Sequence, residues 1–360
     1  MKPLERVAAA LRHQEPDRVP VYPLVAGGSR HLVGAGYRRW ATDSEVTAEA
    51  LLRATDRLGS DVLCTLTDLS VEAADFGQKL IWPEHEAACP DRHDRRIKSL
   101  ADYATIEPLD PRRTPRMSEH LRLCDRLVQA RGNELPLVAF VFGPLGVTSM
   151  LRDQAAMYMD LHDDPAAVLA CATAINETLI DYCTALAETG VHAIMLDTLF
   201  ASASIMSKQM WLEMEGPLVR RLAEHIHSLG CMVMIHNCGQ GIYFDAQIET
   251  MHPEAISFLY PADDCDSLAA TKLKYGHQTT LIGAVSPTWI VSAPPEAVEA
   301  ECMRQIDAMG AGGGFILATG CEYPANLTLD RAEAMVRAAR TYGVYDQQHS
   351  FVVAGEAVGN

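Results

Sequence analysis

Residues 164–197 read DPAAVLACATAINETLIDYCTALAETGVHAIMLD. In the first part of that stretch Val168, Ala172, Ile175, Leu179, Tyr182 and Leu186 recur at intervals of three and four, which predicts an amphipathic helix over 165–189. Asp164 stands at its N-cap position, Pro165 at its first turn and Gly190 just past its end. Directly after comes His192–Asp197, short and apolar to the last residue, as a strand buried on both faces should be. The stretch is therefore one helix-then-strand unit. Similar apolar runs occur at Val19–Val25, Asp61–Leu66, Leu135–Phe142, Met232–His236, Ala255–Leu259, Thr280–Val285 and Gly314–Ala318. Helical spacing returns between them, over Ser207–Leu229, Pro295–Met309 and Leu329–Tyr342. Eight strands alternating with helices predict an α/β fold, a (β/α)8 TIM barrel, with a doubly wound open sheet as the alternative.

The chain of 360 residues is 48% hydrophobic and 21% charged, enough for a large core. One domain over residues 1–345 is expected, with a polar elaboration rich in Pro, Asp and Arg at 82–115 and a C-terminal tail at 346–360. A formal charge of −17 with no basic run argues against a nucleic-acid partner. The longest unbroken apolar stretch, Leu135 to Phe142, is far below the roughly 18 residues of a membrane span, and Met1–Arg6 has no signal-peptide core. The expectation is a soluble cytoplasmic protein without a membrane partner. Its ten cysteines form no CxxC pair and read as reduced thiols, most of them small buried hydrophobes.

In a TIM barrel the chemistry sits where strands end and loops begin. Three residues pass that filter with ligand chemistry. His236-Asn237-Cys238-Gly239 follows the apolar run 232–235, and Cys321 follows 315–320. One nitrogen and two sulfurs, brought to the same face from two strands, suit zinc and leave its fourth position open. The competing reading of the same residues is a satisfied core histidine and buried thiols. Asp197 ends its strand run, placed to orient a ligand, move a proton or cap the next segment. Asp68 and Glu72 follow the second run; four apart, they share a face if that stretch is helical, either lining a pocket or binding metal or forming a solvated acidic surface. His225 and His227 lie two apart on a predicted helix, and Gly310–Gly314 precedes a strand and reads as a turn, not a dinucleotide fingerprint. There is no Walker A lysine, no GxSxG elbow and no Asp-x-His-x-x-Gly corrinoid motif.

On these residues the chain resembles the uroporphyrinogen decarboxylase superfamily, and within it the branch of zinc-dependent, corrinoid-linked methyltransferases. The resemblance spans nearly the whole chain: Glu5-Arg6-Val7 through Pro16-Asp17-Arg18-Val19-Pro20-Val21, then Asp68–Gly77, His192–Asp197, His236-x-Cys238 and Gly320-Cys321-Glu322-Tyr323-Pro324. It implies zinc ligation by His236, Cys238 and Cys321, and site roles for Asp197, Asp68 and Glu72. It further implies a thiol held on zinc as thiolate that attacks the methyl group of a methyl-Co(III) corrinoid. With no corrinoid domain in sequence, the corrinoid would arrive on a separate protein and the other methyl donor or acceptor would be a small molecule: a thiol, a folate or a methylated compound. Two departures stand out. The arginine-rich loop by which true decarboxylases hold substrate carboxylates is reduced to Gly27-Gly28-Ser29-Arg30-His31-Leu32, which disfavours the alternative, a lyase acting on a tetrapyrrole. And where many relatives carry an acidic residue after the sixth strand, this chain has Leu259-Tyr260-Pro261, with Asp263 and Asp264 only later.

Overall fold

The computed structural model describes residues 1–345; the tail at 346–360 lies outside the described residues. Eight strands form one parallel sheet: β1 (Val21–Tyr22), β2 (Leu63–Cys64), β3 (Leu137–Phe142), β4 (Ala193–Asp197), β5 (Met232–Asn237), β6 (Ala255–Phe258), β7 (Thr280–Val285) and β8 (Phe315–Thr319). They pair in the order β1-β8-β7-β6-β5-β4-β3-β2 with helices between them, the nearly closed ring of a (β/α)8 barrel. Each strand falls inside or within a residue of an apolar run read from sequence. The terminal strands are shorter than their runs: only two residues of Val19–Val25 and two of Asp61–Leu66 join a ladder.

Those two short strands meet at the seam, and a carboxylate stands in for the missing ladder. Asp61 N donates to the Val21 carbonyl at 2.9 Å, and Val21 N donates to Asp61 Oδ2 at 2.8 Å. The rest of the Asp61 carboxylate accepts from Arg6 at 2.8 Å and from both terminal nitrogens of Arg18, at 2.7 and 3.0 Å. Arg6 also grips Asp17 at 2.7 Å. The opening motif Arg6…Asp17-Arg18 is thus the clasp of the barrel. Asp61 is only 1% exposed, and its charge is tolerated there because two guanidinium groups and an amide satisfy it.

The helix at Pro165–Glu188 begins one residue past an Asp164 cap that accepts from Ala167 N. By length and composition it is the one helix among the described residues apolar enough to cross a membrane. Half of that window is buried in the protein, where it packs on helices Pro144–Arg152 and Gly216–Ser228 as a core helix does. The predicted helix over Ser207–Leu229 is in fact two, Lys208–Met214 and Gly216–Ser228. Pro217 has no N–H to continue the first helix, and the break at Glu215 turns that carboxyl into the core. Between β2 and β3, the polar segment forms a two-residue antiparallel pair, Leu80–Ile81 with Cys89–Pro90, and a 3-10 turn at Leu100–Thr105. Trp82, between those strands, packs under the guanidinium groups of Arg38 and Arg116.

Replacing Asp61 by alanine strands two arginines and the Val21 amide at once. The expected loss is about 3–5 kcal/mol in urea unfolding, whereas Asp17→Ala, at a half-exposed pair, costs about 1 kcal/mol or less. Equal costs for the two variants would contradict the assignment of Asp61 as the seam's clasp.

Candidate metal centre

Parallel pairing sets three side chains at one height. Asp197 on β4 is the register partner of His236 on β5, and His236 is the partner of Ser257 on β6. Register partners in a parallel ladder point to the same face. That face is the barrel interior, because the His236 ring meets Phe140 of β3 at 6.0 Å across the strand that separates them. The next residue, Asn237, faces the other way and ties down the loop: its amide nitrogen donates to the carbonyls of Thr198 at 2.8 Å and Ala201 at 3.2 Å, and its oxygen accepts from Gly239 N at 3.0 Å. Cys238 therefore returns to the interior side. This alternation is why the two ligand types are separated by one residue.

Cys321 arrives from β8. Gly320 before it lies against Leu259, where a side-chain carbon at position 320 would come within 2.7 Å of the Leu259 Cα, so only glycine lets the two loops close. A ring nitrogen of His236 and the sulfurs of Cys238 and Cys321 consequently gather within 4.8 Å of one another. Donors around a tetrahedral zinc are separated by about 3.5 Å, so the group needs only a small contraction to hold one. His236 Nδ1 bonds Ser257 Oγ at 3.0 Å; with Nδ1–H donating there, Nε2 is the nitrogen left for a metal. The imidazole is buried and both cysteines are half-buried. The two thiols titrate as a pair: the Cys238 thiol and the neighbouring His236 lower the pKa of Cys321 and favour its thiolate, while Cys238 holds its own proton strongly beside that thiolate. A metal that displaces this second proton gains two thiolates, and its binding strengthens as pH rises.

Four buried carboxyls lie at this end of the barrel. Asp197 accepts from Leu199 N at 3.1 Å and is pushed up to about 6 by burial, with His236 and Cys321 as its charged neighbours. Glu322 accepts from Gly27 N at 2.9 Å and rises to about 7 by burial. Glu215 accepts from Trp211 Nε1 at 2.8 Å and Leu145 N at 3.1 Å, and also reaches about 7 by burial. Glu72 accepts from Phe142 N at 3.1 Å and is pushed to about 8 by burial. Glu215 and Glu322 were not singled out from sequence; Glu215 is betrayed only by the helix break, and Glu322 by its place next to Cys321. Ser257 needed the strand register to be found.

Asp68 and Glu72 are both buried, so neither belongs to a solvated acidic face. The helix at Val71–Asp75 starts after Asp68, which precedes it as a turn residue accepting from Ser70 N at 2.8 Å and pairing with Arg116 at 2.5 Å. Neither belongs to the metal-donor group. Asp263 pairs with Lys208 at 3.0 Å, and Asp264 accepts from Lys274 at 2.6 Å and Tyr275 at 2.8 Å, so the loop after β6 sends no carboxylate to it either. Arg30 is committed as well. Its guanidinium is 2% exposed, stacks on Tyr37, and donates to the carbonyls of Gly27, Ala325 and His85 and to Asn326 Oδ1.

A carboxyl whose pKa is raised in the folded state contributes its stability at low pH and loses it as pH climbs through the folded value. Glu72 and Glu215, raised from an ordinary value of 4.5 to about 8 and about 7, spread that loss from about pH 4.5 up to about pH 8. The urea midpoint of metal-free protein is expected to fall across this window, and Glu72→Gln to remove part of the fall. A flat profile, or an unchanged slope in the variant, would contradict the buried neutral carboxyl. Ser257→Ala, which frees the imidazole to rotate, is expected to weaken zinc binding about 10–100-fold by competition with a chromophoric chelator.

Known proteins resemble this chain over nearly its whole length. The chain is 24% identical over 348 residues to the methylcobamide:CoM methyltransferase MtbA of Methanosarcina mazei, covering 94% of this chain and 98% of that one. It is 23% identical to a uroporphyrinogen decarboxylase of Cellvibrio japonicus, covering 99% and 100%. Among solved structures, a methyltransferase from Methanosarcina mazei superposes with a TM-score of 0.81 at 20% identity, covering 94% and 98%, which shows a shared fold. The family model described as uroporphyrinogen decarboxylase (URO-D) matches residues 2–342, and the chain belongs to that family.

Proposed function

We propose that this protein is a zinc-dependent methyltransferase that moves a methyl group between a corrinoid, carried on a separate protein, and a small thiol, folate or methylated molecule. The observation that carries the reading is the gathering of His236, Cys238 and Cys321 at the mouth of the barrel. Similarity over nearly the full length to a methylcobamide:CoM methyltransferase supports it.

Zinc held by these three residues would supply Lewis acidity at an open fourth position, lowering the pKa of a thiol bound there and leaving its sulfur electron-rich. The chain's own residues do the rest. Ser257 fixes the imidazole, Gly320 lets Cys321 close in, and Asp197, the register partner of His236, would receive the proton that an entering thiol gives up. No acidic side chain from the loop after β6 competes for the fourth position, since Leu259 packs under Gly320 and both later aspartates are paired.

The decarboxylase alternative needs several cations to replace the hydration of a many-carboxylate substrate. Arg30, the remaining arginine of the relevant loop, already spends four of its five N–H donors on three carbonyls and an amide oxygen, all of those on its two terminal nitrogens.

Protein purified without added zinc is expected to carry about one equivalent, and to transfer methyl from methylcobalamin to a small thiol or the reverse. Cys238→Ser and Cys321→Ser should each lose most of the zinc and at least 100-fold in transfer while circular dichroism stays unchanged. A full zinc equivalent in both variants would overturn the ligand assignment; decarboxylation of uroporphyrinogen without metal would overturn the reaction class.

A further inference from the structure

The metal donors lie where strands end. At the opposite end, where the turns lead into β7 and β8, there is a second cavity, of about 570 Å³. That volume lies in the range of small-molecule sites. Much of its wall is apolar: Ala270 and Leu273 from helix Leu268–Tyr275, with Ala308 and Ala311 opposite. Leu273 is 78% exposed at the rim.

Polar groups converge from three elements. Lys272 folds back from its helix beneath Gly276, and its ammonium donates to the Gly313 carbonyl. His13, in the turn after the first helix, and His277, before β7, line the same cavity. Gly314, at φ +63°, lets the backbone pass against both His13 and Lys272: a side-chain carbon there would stand 2.6 Å from His13 Nδ1 and 3.3 Å from Lys272 Nζ. His13 Nδ1 is buried there, close to the Gly276 carbonyl and with no carboxylate bonded to it. Among the described residues no carboxylate lies within ion-pair distance of Lys272. The two acids nearby are engaged, Asp307 with the Tyr342 hydroxyl at 2.6 Å and Glu15 with Gly312 N at 2.9 Å. Burial lowers the Lys272 pKa to about 8, with no neighbouring acid to oppose it. A partly buried cation beside an imidazole, held only by a backbone carbonyl at the back of an apolar cavity, lacks its counter-ion.

We propose that this cavity binds a small organic anion with an apolar body, its carboxylate on Lys272 and His13 and its chain along Ala270, Leu273, Ala308 and Ala311. A medium-chain monocarboxylate is the simplest member of that class. Because the site is at the far end of the barrel, its ligand cannot touch the metal donors and is not the methyl donor or acceptor.

Titration of octanoate into the full-length protein by calorimetry tests this, with octanol as the uncharged probe. Octanoate should bind saturably at one site per chain, at least tenfold tighter than octanol. Lys272→Met should weaken octanoate at least tenfold and leave octanol unchanged, while Ala311→Trp, which fills the cavity and keeps the charge, should weaken both. Thermal unfolding and zinc content of each variant, matched to the parent, separate loss of the site from loss of the fold. Equal affinity for the two probes, an unchanged octanoate affinity in Lys272→Met, or no saturable binding would overturn the proposal. Neither readout depends on methyl transfer.

Discussion

The parallel register across β4, β5 and β6 decides which atoms reach the mouth of the barrel. With Asp197, His236 and Ser257 as partners in adjacent strands, a carboxyl, an imidazole and a hydroxyl stand side by side on the interior face. A slip by one residue would send Asn237 inward and turn His236 toward the helices. From that register the rest follows. The hydroxyl fixes the imidazole, the alternation returns Cys238 to the interior, and Cys321 comes across from β8 over a glycine that Leu259 leaves no room to replace. The chemistry depends on strand pairing far more than on any loop.

That arrangement needs a ring, and the ring is closed by charge. β1 and β2 have too few paired residues to form a ladder, so Asp61 holds the seam with its backbone and its carboxylate together, braced by Arg6 and Arg18. A buried ion pair seldom adds much net stability by itself, but breaking one is costly. Here its value lies in joining the two ends of the sheet. The mouth of the barrel is different in character. Its carboxyls at 72, 197, 215 and 322 are buried with amide or indole donors rather than cations, which leaves their pKa values near the working pH range. The bottom of the barrel is clamped by fixed charge, while the top keeps groups that can take up or give up protons.

Much of this was legible from sequence, for identifiable reasons. All eight strands lie in or within a residue of short, largely apolar runs, because parallel strands covered on both faces leave no polar alternation to misread. His236, Cys238 and Cys321 could be found because strand ends mark the active face of such a barrel. The continuous helix over 207–229 failed because apolar spacing runs straight through Glu215, and the weight of Gly216-Pro217 was missed. For Asp68 and Glu72 the sequence leaves a pocket, a metal site and a solvated face all open, since nothing local announces that Arg116 and the Phe142 amide, far along the chain, will receive them. Ser257 was invisible: a lone serine in an apolar strand gains its meaning only from the residue beside it in the sheet.

X-ray absorption at the zinc edge tests the central claim most directly. Protein purified with its native metal should show two sulfur scatterers at about 2.3 Å and one imidazole nitrogen at about 2.0–2.1 Å, with a fourth, lighter atom completing the shell. Addition of a thiol substrate should raise the sulfur count to three. A shell of oxygen and nitrogen alone, or a sulfur count that stays at two in Cys321→Ser, would show that His236, Cys238 and Cys321 do not form the metal centre.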